Sequence, residues 1–184
     1  MRFILVTLFC VLLCSSLTFA QMPGSIGLFF DQYGAECSAD EVPGVTLNVW
    51  VVHVYTSGAS ASEFRVETPP CLLYVAEFVG ELFIALGGFR DGISIAYNGC
   101  YISPIVLGYI MFLSQGACPQ CTYMRVVDHP SPSTGIPGIW MYDCSLPPNP
   151  YMATGGEFII NPQPECDCDI PVKETTWGQI KALY

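Results

Sequence analysis

Apolar residues along this chain fall into short runs separated by Gly, Pro and polar punctuation, with few uninterrupted stretches long enough for a long helix. Gly27-Leu28-Phe29-Phe30 opens the series. Val45 to Tyr55 (VTLNVWVVHVY) follows, rich in Val and aromatic residues, and then Glu63 to Glu67 (EFRVE), where Phe64 and Val66 alternate with charges. Later runs cover Ile93 to Tyr97, Val106 to Leu113, Thr122 to Val127, Ile139 to Asp143 and Glu157 to Ile160. Period-two alternation, β-branched and aromatic enrichment and regular turn signals predict about eight strands at the spacing of a β-sandwich, Ig-like or jelly-roll-like. Pro130 to Pro137 and Pro147 to Pro150 read as loops.

Leu72 to Leu86 carries two patterns. Leu72, Val75, Ala76, Val79, Phe83 and Leu86 trace a helical stripe, with Glu77 and Glu81 four apart on another face. Pro69-Pro70 and Gly87-Gly88 bracket the stretch and its neighbours are strand-like, so two strands broken near Gly80 are expected, with a buried helix as the competitor.

The two ends differ from the middle. Residues 1–20 place Arg2 before an apolar run from Phe3 to Leu13, then small and polar residues, with Thr18 and Ala20 at the minus-three and minus-one positions of a cut. That is the pattern of a secretory signal peptide cleaved near Ala20. The run is too short for a membrane span, which needs about 20 residues, and no later segment supplies one. At the other end, residues 173–184 include TTWGQIKALY, where Thr175 or Thr176 supplies an N-cap and Trp177, Ile180, Leu183 and Tyr184 share one helical face. One short amphipathic helix is expected there, docked on the sandwich spanning 21–172 or on a partner, or read as a sorting or attachment signal. A helix so short is marginal by itself.

Composition fixes the surroundings. Asp and Glu number 16 against 6 Lys and Arg among 184 residues, a formal net charge of -10. Such a surface repels the phosphate backbone, so nucleic acid and anionic membranes are not expected partners. Beyond the leader stand Cys37, Cys71, Cys100, Cys118, Cys121, Cys144, Cys166 and Cys168, an even set that reads as up to four disulfides in an exported chain. On the order of a hundred pairings are open to eight cysteines. Cys166 and Cys168, two apart, are not expected to pair with each other. The late cluster is expected to staple the C-terminal third, Cys118 or Cys121 joining Cys144, Cys166 or Cys168.

Candidate chemistry is sparse. Cys118-Pro119-Gln120-Cys121 has the spacing of thiol-disulfide oxidoreductases, but it precedes the strand-like TYMRVV rather than a helix whose N-terminus would lower a thiol pKa. Structural disulfides are the expectation. Zinc held by Cys118, Cys121, Cys166 and Cys168 would need Cys-x-Cys as its second half, a poor spacing in an oxidising compartment. The two histidines, His53 inside the long strand and His129 beside Asp128, restrict imidazole catalysis, and neither Gly-x-Ser-x-Gly nor His-Glu-x-x-His nor a phosphate loop occurs. His53 reads as a packed or edge-facing residue, His129 as one that orders a turn. Asp31, Glu36, Asp40 and Glu41, and again Glu165, Asp167 and Asp169, form acidic loops suited to calcium, without the EF-hand pattern. No other cofactor is indicated.

Several phrases taken together, GSIGLFFDQYGAEC, SEFRVE, GISIAYNGC, RVVDHPSP, GGEFIINP and the tail TTWGQIKALY, resemble a group of secreted bacterial β-rich proteins of similar length with a TWGxIKxLY-type ending. The resemblance implies a bacterial exported protein and carries no catalytic residue. SGASASEFRVE also resembles the glycine-then-Phe strand of cohesin-like sandwiches, which implies protein binding in extracellular assemblies; the cysteines are not part of that pattern.

The sequence therefore points to an all-β, disulfide-stapled sandwich with one short C-terminal helix, secreted, periplasmic or on the cell surface. Its expected role is non-catalytic: a structural, adhesion or binding module with a protein or glycan ligand. The alternative is an extracytoplasmic enzyme, either an oxidoreductase using Cys118 and Cys121 or a hydrolase built on surface carboxylates.

Overall fold

A computed structural model describes residues 24–166 and residue 168. The leader, Asp167, Asp169 and the tail with Trp177, Ile180, Leu183 and Tyr184 lie outside the described residues.

Among the described residues, thirteen strands form two sheets. The first contains β1 (Ser25–Phe29), β3 (Thr46–Val54), β5 (Leu73–Val79), β8 (Ile105–Leu113) and β12 (Thr154–Gly155), in the order β12-β1-β3-β8-β5. The second contains β2 (Ser38–Ala39), β4 (Ala59–Glu67), β9 (Thr122–Val127), β10 (Trp140–Tyr142), β11 (Pro150–Met152) and β13 (Glu157–Ile160), in the order β11-β10-β4-β9-β13-β2. β7 (Gly92–Tyr101) lies along the other edge of β4 and carries β6 (Ile84–Gly88) as its outer neighbour. Against the expected number of about eight strands, every anticipated run forms one, and Leu72 to Leu86 forms two: β5 and β6 stand on either side of Gly80, in different sheets.

Alternation explains the two-layer arrangement. In β3, Leu47, Val49 and Val51 enter the core while Thr46, Asn48 and Trp50 point outward. Opposite them stand Phe64 and Val66 of β4, Ile93, Ile95 and Tyr97 of β7, Met124 of β9 and Phe158 of β13. Each fully buried side chain of this size contributes about 1.5–3 kcal/mol through removal from water. The three strands absent from the sequence reading, β2, β11 and β12, are two or three residues long, too short to show a period. β11 corrects the expected Pro147 to Pro150 loop at its last residue, since Pro150 opens an outermost strand, where a missing N–H is tolerated.

β5 and β6 are both edges, and the seam between them is closed by side chains. The guanidinium of Arg90 lies 4.3 Å from the centroid of the Tyr74 ring, and the Phe89 amide donates to Glu77 Oε1 at 3.1 Å. Both contacts run from β5 in one sheet to the β6–β7 turn of the other. Burial at this seam raises the Glu77 carboxyl above its ordinary value, against the lowering pull of the Phe89 amide.

Candidate functional site

Four aromatic residues from four adjacent strands occupy one row on the outer face of the first sheet. Phe29 pairs with Trp50, Trp50 with Tyr109, and Tyr109 with Phe78. Trp50 and Tyr109 have ring centroids 4.9 Å apart, and Tyr109 and Phe78 4.8 Å apart with planes 24° from parallel. Their register depends on bulges, at Val51/Val52 between β3 and β8 and at Tyr74/Ala76 between β8 and β5. Gly108 permits the close approach of β5. It has φ +154°, and a Cβ there would stand 2.0 Å from the Phe78 carbonyl oxygen.

The row is covered at one end and open at the other. Phe29 is 2% exposed, packed with Cys37, Val52 and Val54, with Trp50, Tyr55 and Cys168 alongside. The covering loop is set by Asp31, whose carboxylate accepts the amides of Tyr33 at 2.7 Å, Ala35 at 3.1 Å and Glu36 at 2.8 Å. Gly34 rests on the Phe29 ring. At the far end Phe78 is 45% exposed, with Leu73 and Val75 on the same strand each 49% exposed. A groove of about 320 Å³ runs beside the open end, lined by the aromatic trio, Val79, Gly80, Glu81, Val106 and Gly108. Tyr109 is stacked on Phe78 and tilted 47° to Trp50, and the half-exposed Phe78 offers its outer side to an occupant.

The cysteines form four pairs. Cys37–Cys168, Cys71–Cys118, Cys100–Cys144 and Cys121–Cys166 have Cα separations of 6.0, 5.0, 5.4 and 5.9 Å. Cys166 and Cys168 take different partners, as expected, and Cys121–Cys166 is one of the anticipated joins. The wider expectation of a late cluster stapling the C-terminal third is corrected. β5 runs beside β8, which brings Cys71 to Cys118; β7 and β10 both flank β4, which brings Cys100 to Cys144. Cys118 and Cys121 are held in separate disulfides, so they form no redox couple with each other and no half of a zinc site.

Other candidate residues serve the scaffold. His53 is buried, its Nδ1 3.0 Å from the Tyr97 hydroxyl. His129 Nδ1 accepts the Ser131 amide at 3.1 Å and so orders its turn. Glu41 accepts the amides of Gln115, Gly116 and Cys118 at 3.1, 2.8 and 2.9 Å. Burial pushes its carboxyl up, but the hydrogen bonds from the Cys118, Gly116 and Gln115 amides outweigh that and hold it below the ordinary value. Among the described residues, no three His, Cys, Asp or Glu side chains are grouped to share a metal ion. Glu36, Asp40 and Glu165 join no such group.

Buried carboxylates are Glu63 and Asp143. Glu63 accepts the Ser94 hydroxyl at 3.0 Å, the Ser133 amide and hydroxyl at 3.0 Å each and the Tyr142 hydroxyl at 3.2 Å, which clamps the Pro-rich loop onto β4. Asp143 accepts the amides of Ser145 and Asn149 at 3.1 and 2.8 Å, and the Ser145 hydroxyl draws its carboxyl well below the usual range.

Sequence reasoning missed the aromatic row. The one readable signal was Asn48, a polar residue inside the β3 run, which marks the outward face that Trp50 shares two positions later.

No protein-family model matches the sequence, and neither does any curated protein. Solved structures do match the fold. The sixth cohesin of scaffoldin B from Acetivibrio cellulolyticus, solved in complex with a dockerin, is similar over 77% of this chain and 100% of that chain, at 13% identity and a TM-score of 0.49. A non-cellulosomal cohesin from the hyperthermophilic archaeon Archaeoglobus fulgidus is similar over 76% of this chain and 91% of that chain, at 18% identity and a TM-score of 0.50. The likeness to the archaeal cohesin is one of fold: this chain is built as a cohesin-like β-sandwich, with four disulfides holding it.

Proposed function

We propose that this chain is an exported, non-catalytic binding module that docks a polypeptide partner on the outer face of β3, β8 and β5. The observation that carries this reading is the aromatic row Trp50–Tyr109–Phe78, open at the Phe78 end beside a groove. Trp, Tyr and Phe are the residues that concentrate binding energy at protein interfaces, and here they are fixed by strand pairing, so little conformational entropy is lost on docking. A glycan is the less suitable ligand for this geometry. Pyranose rings stack on open aromatic faces, whereas here one face of Tyr109 is taken by Phe78 and Trp50 is tilted 47° to Tyr109. The cohesin-like fold and the dockerin bound to one structural neighbour are in keeping with a protein ligand. The leader-like residues 1–20 and the four disulfides, which form in oxidising compartments, support the export part of this reading.

The test places a photo-crosslinking amino acid at Phe78 in the secreting cell. A polypeptide adduct that disappears when Tyr109→Ser is added is the expected result. Binding to a glycan array that depends on Trp50, with no polypeptide adduct, would overturn the reading.

A further inference from the structure

We propose that Asn98 is a site of spontaneous covalent modification, at which the folded protein loses the side-chain amide and converts the Asn98-Gly99 link to an aspartyl or isoaspartyl one.

The reaction needs a backbone N–H on the residue that follows the asparagine. That nitrogen attacks the side-chain carbonyl carbon, the bond from this carbon to the amide nitrogen breaks, and ammonia leaves with the proton that the backbone nitrogen gives up. Water then opens the resulting cyclic imide at either carbonyl. One opening restores the ordinary main chain as aspartate; the other reroutes it through the side-chain carbon as isoaspartate. Each event replaces a neutral amide by a carboxylate.

Of the four asparagines of the chain, three are blocked. Asn149 and Asn161 precede Pro150 and Pro162, which have no N–H. Their side chains are also engaged, Asn149 Nδ2 donating to Asp143 Oδ2 at 3.1 Å and Asn161 Nδ2 to the Cys118 carbonyl at 2.9 Å. Asn48 precedes the branched side chain of Val49 and is held in the β3–β8 ladder opposite Met111.

Asn98 is placed differently. Gly99 follows it, with no Cβ to crowd the approach, and both residues are exposed. Ala61 pairs with Ala96 and Ala59 with Tyr101, so Tyr97 to Cys100 bulge out opposite Ser60 alone, and β6 leaves β7 at Ala96. Asn98 and Gly99 therefore have no partner residue on either flank. The Asn98 backbone is left-handed, with φ 54°, a conformation asparagine tolerates. Among the described residues nothing hydrogen-bonds its side-chain amide. Attack requires the peptide after Asn98 to rotate, which an unpaired bulge permits and a paired strand does not.

The bulge lies between two fixed points. Tyr97 is fully buried with its hydroxyl on His53, and Cys100 is tied to Cys144. The extra main-chain atom of an isoaspartate is absorbed by the exposed pair itself, so the fold persists while the surface gains a negative charge beside that disulfide.

Ageing the intact, disulfide-bonded protein in mildly alkaline buffer, followed by peptide mapping, tests the idea. Conversion should accumulate in the peptide carrying Asn98, with isoaspartate identified by electron-transfer fragmentation, while Asn48, Asn149 and Asn161 stay intact. The rate should rise with pH, because the attacking nitrogen must lose its proton. Gly99→Ala should slow conversion several-fold, and Asn98→Gln should remove it. An Asn98 that stays intact in the folded protein under conditions where the reduced, unfolded chain converts it would overturn the inference, as would conversion of Asn48 ahead of Asn98.

Discussion

The imidazole Nδ1 of His53 lies 3.0 Å from the hydroxyl of Tyr97, a hydrogen bond that joins the two sheets through the middle of the sandwich. Both side chains are fully buried, so each satisfies a polar group of the other out of reach of solvent. Tyr97→Phe should cost about 1–3 kcal/mol in chemical denaturation, because the histidine loses a partner it cannot replace with water.

The same tyrosine predicts an alkaline limit. Burial raises the Tyr97 phenol well above the ordinary tyrosine value, so the folded state holds it neutral. Unfolded tyrosine ionises at about pH 10. The stabilisation is therefore complete below pH 10 and declines as pH rises beyond it, since the unfolded chain then binds fewer protons. Stability measured from pH 8 to 11 should fall less steeply in Tyr97→Phe than in the parent.

Glu41 predicts the opposite sign. Its carboxyl is held below the ordinary value by the Gln115–Cys118 amides, so its contribution is present at neutral pH and is lost as pH falls below that of an ordinary glutamate. Glu41→Ala should destabilise by about 1–3 kcal/mol at pH 7. The gap between parent and variant should narrow by pH 3, which acid titration of the unfolding midpoint would read.

Gly108→Ala should push β5 away from β8, because the added carbon meets the Phe78 carbonyl. A loss of about 1–3 kcal/mol is expected, with a change in Trp50 fluorescence as the stacked rings separate. Phe78→Ser, on a half-exposed ring, should change stability by less than about 1 kcal/mol.

Peptide mapping without reductant should recover Cys71–Cys118 and Cys121–Cys166 and no Cys118–Cys121 link. Insulin reduction should be absent. Replacing Cys71 and Cys118 together by Ser should cost about 2–4 kcal/mol in thermal or chemical unfolding.

Much of the sandwich was legible because its longer strands carry their own evidence. Phe64 and Val66 between charges announce β4, and the Thr122 to Val127 run matches β9 end to end. The Leu72 to Leu86 ambiguity resolved in favour of strands because Glu77, which looked like the polar face of a helix, instead reaches across the sandwich seam to the Phe89 amide. Disulfide partners were not legible, since Cys71 meets Cys118 only once β5 has found β8. Nor was the aromatic row: Phe29, Trp50, Phe78 and Tyr109 are scattered along the chain, and strand pairing with the bulge at Tyr74/Ala76 brings them into line.

The Cys37–Cys168 link bridges 131 positions and encloses nearly the whole sandwich. A protease that cuts once anywhere between those two residues releases no fragment, and a nicked molecule gains only one water in mass until it is reduced. Exposed loops such as the one around Leu146 can therefore be clipped without loss of either half.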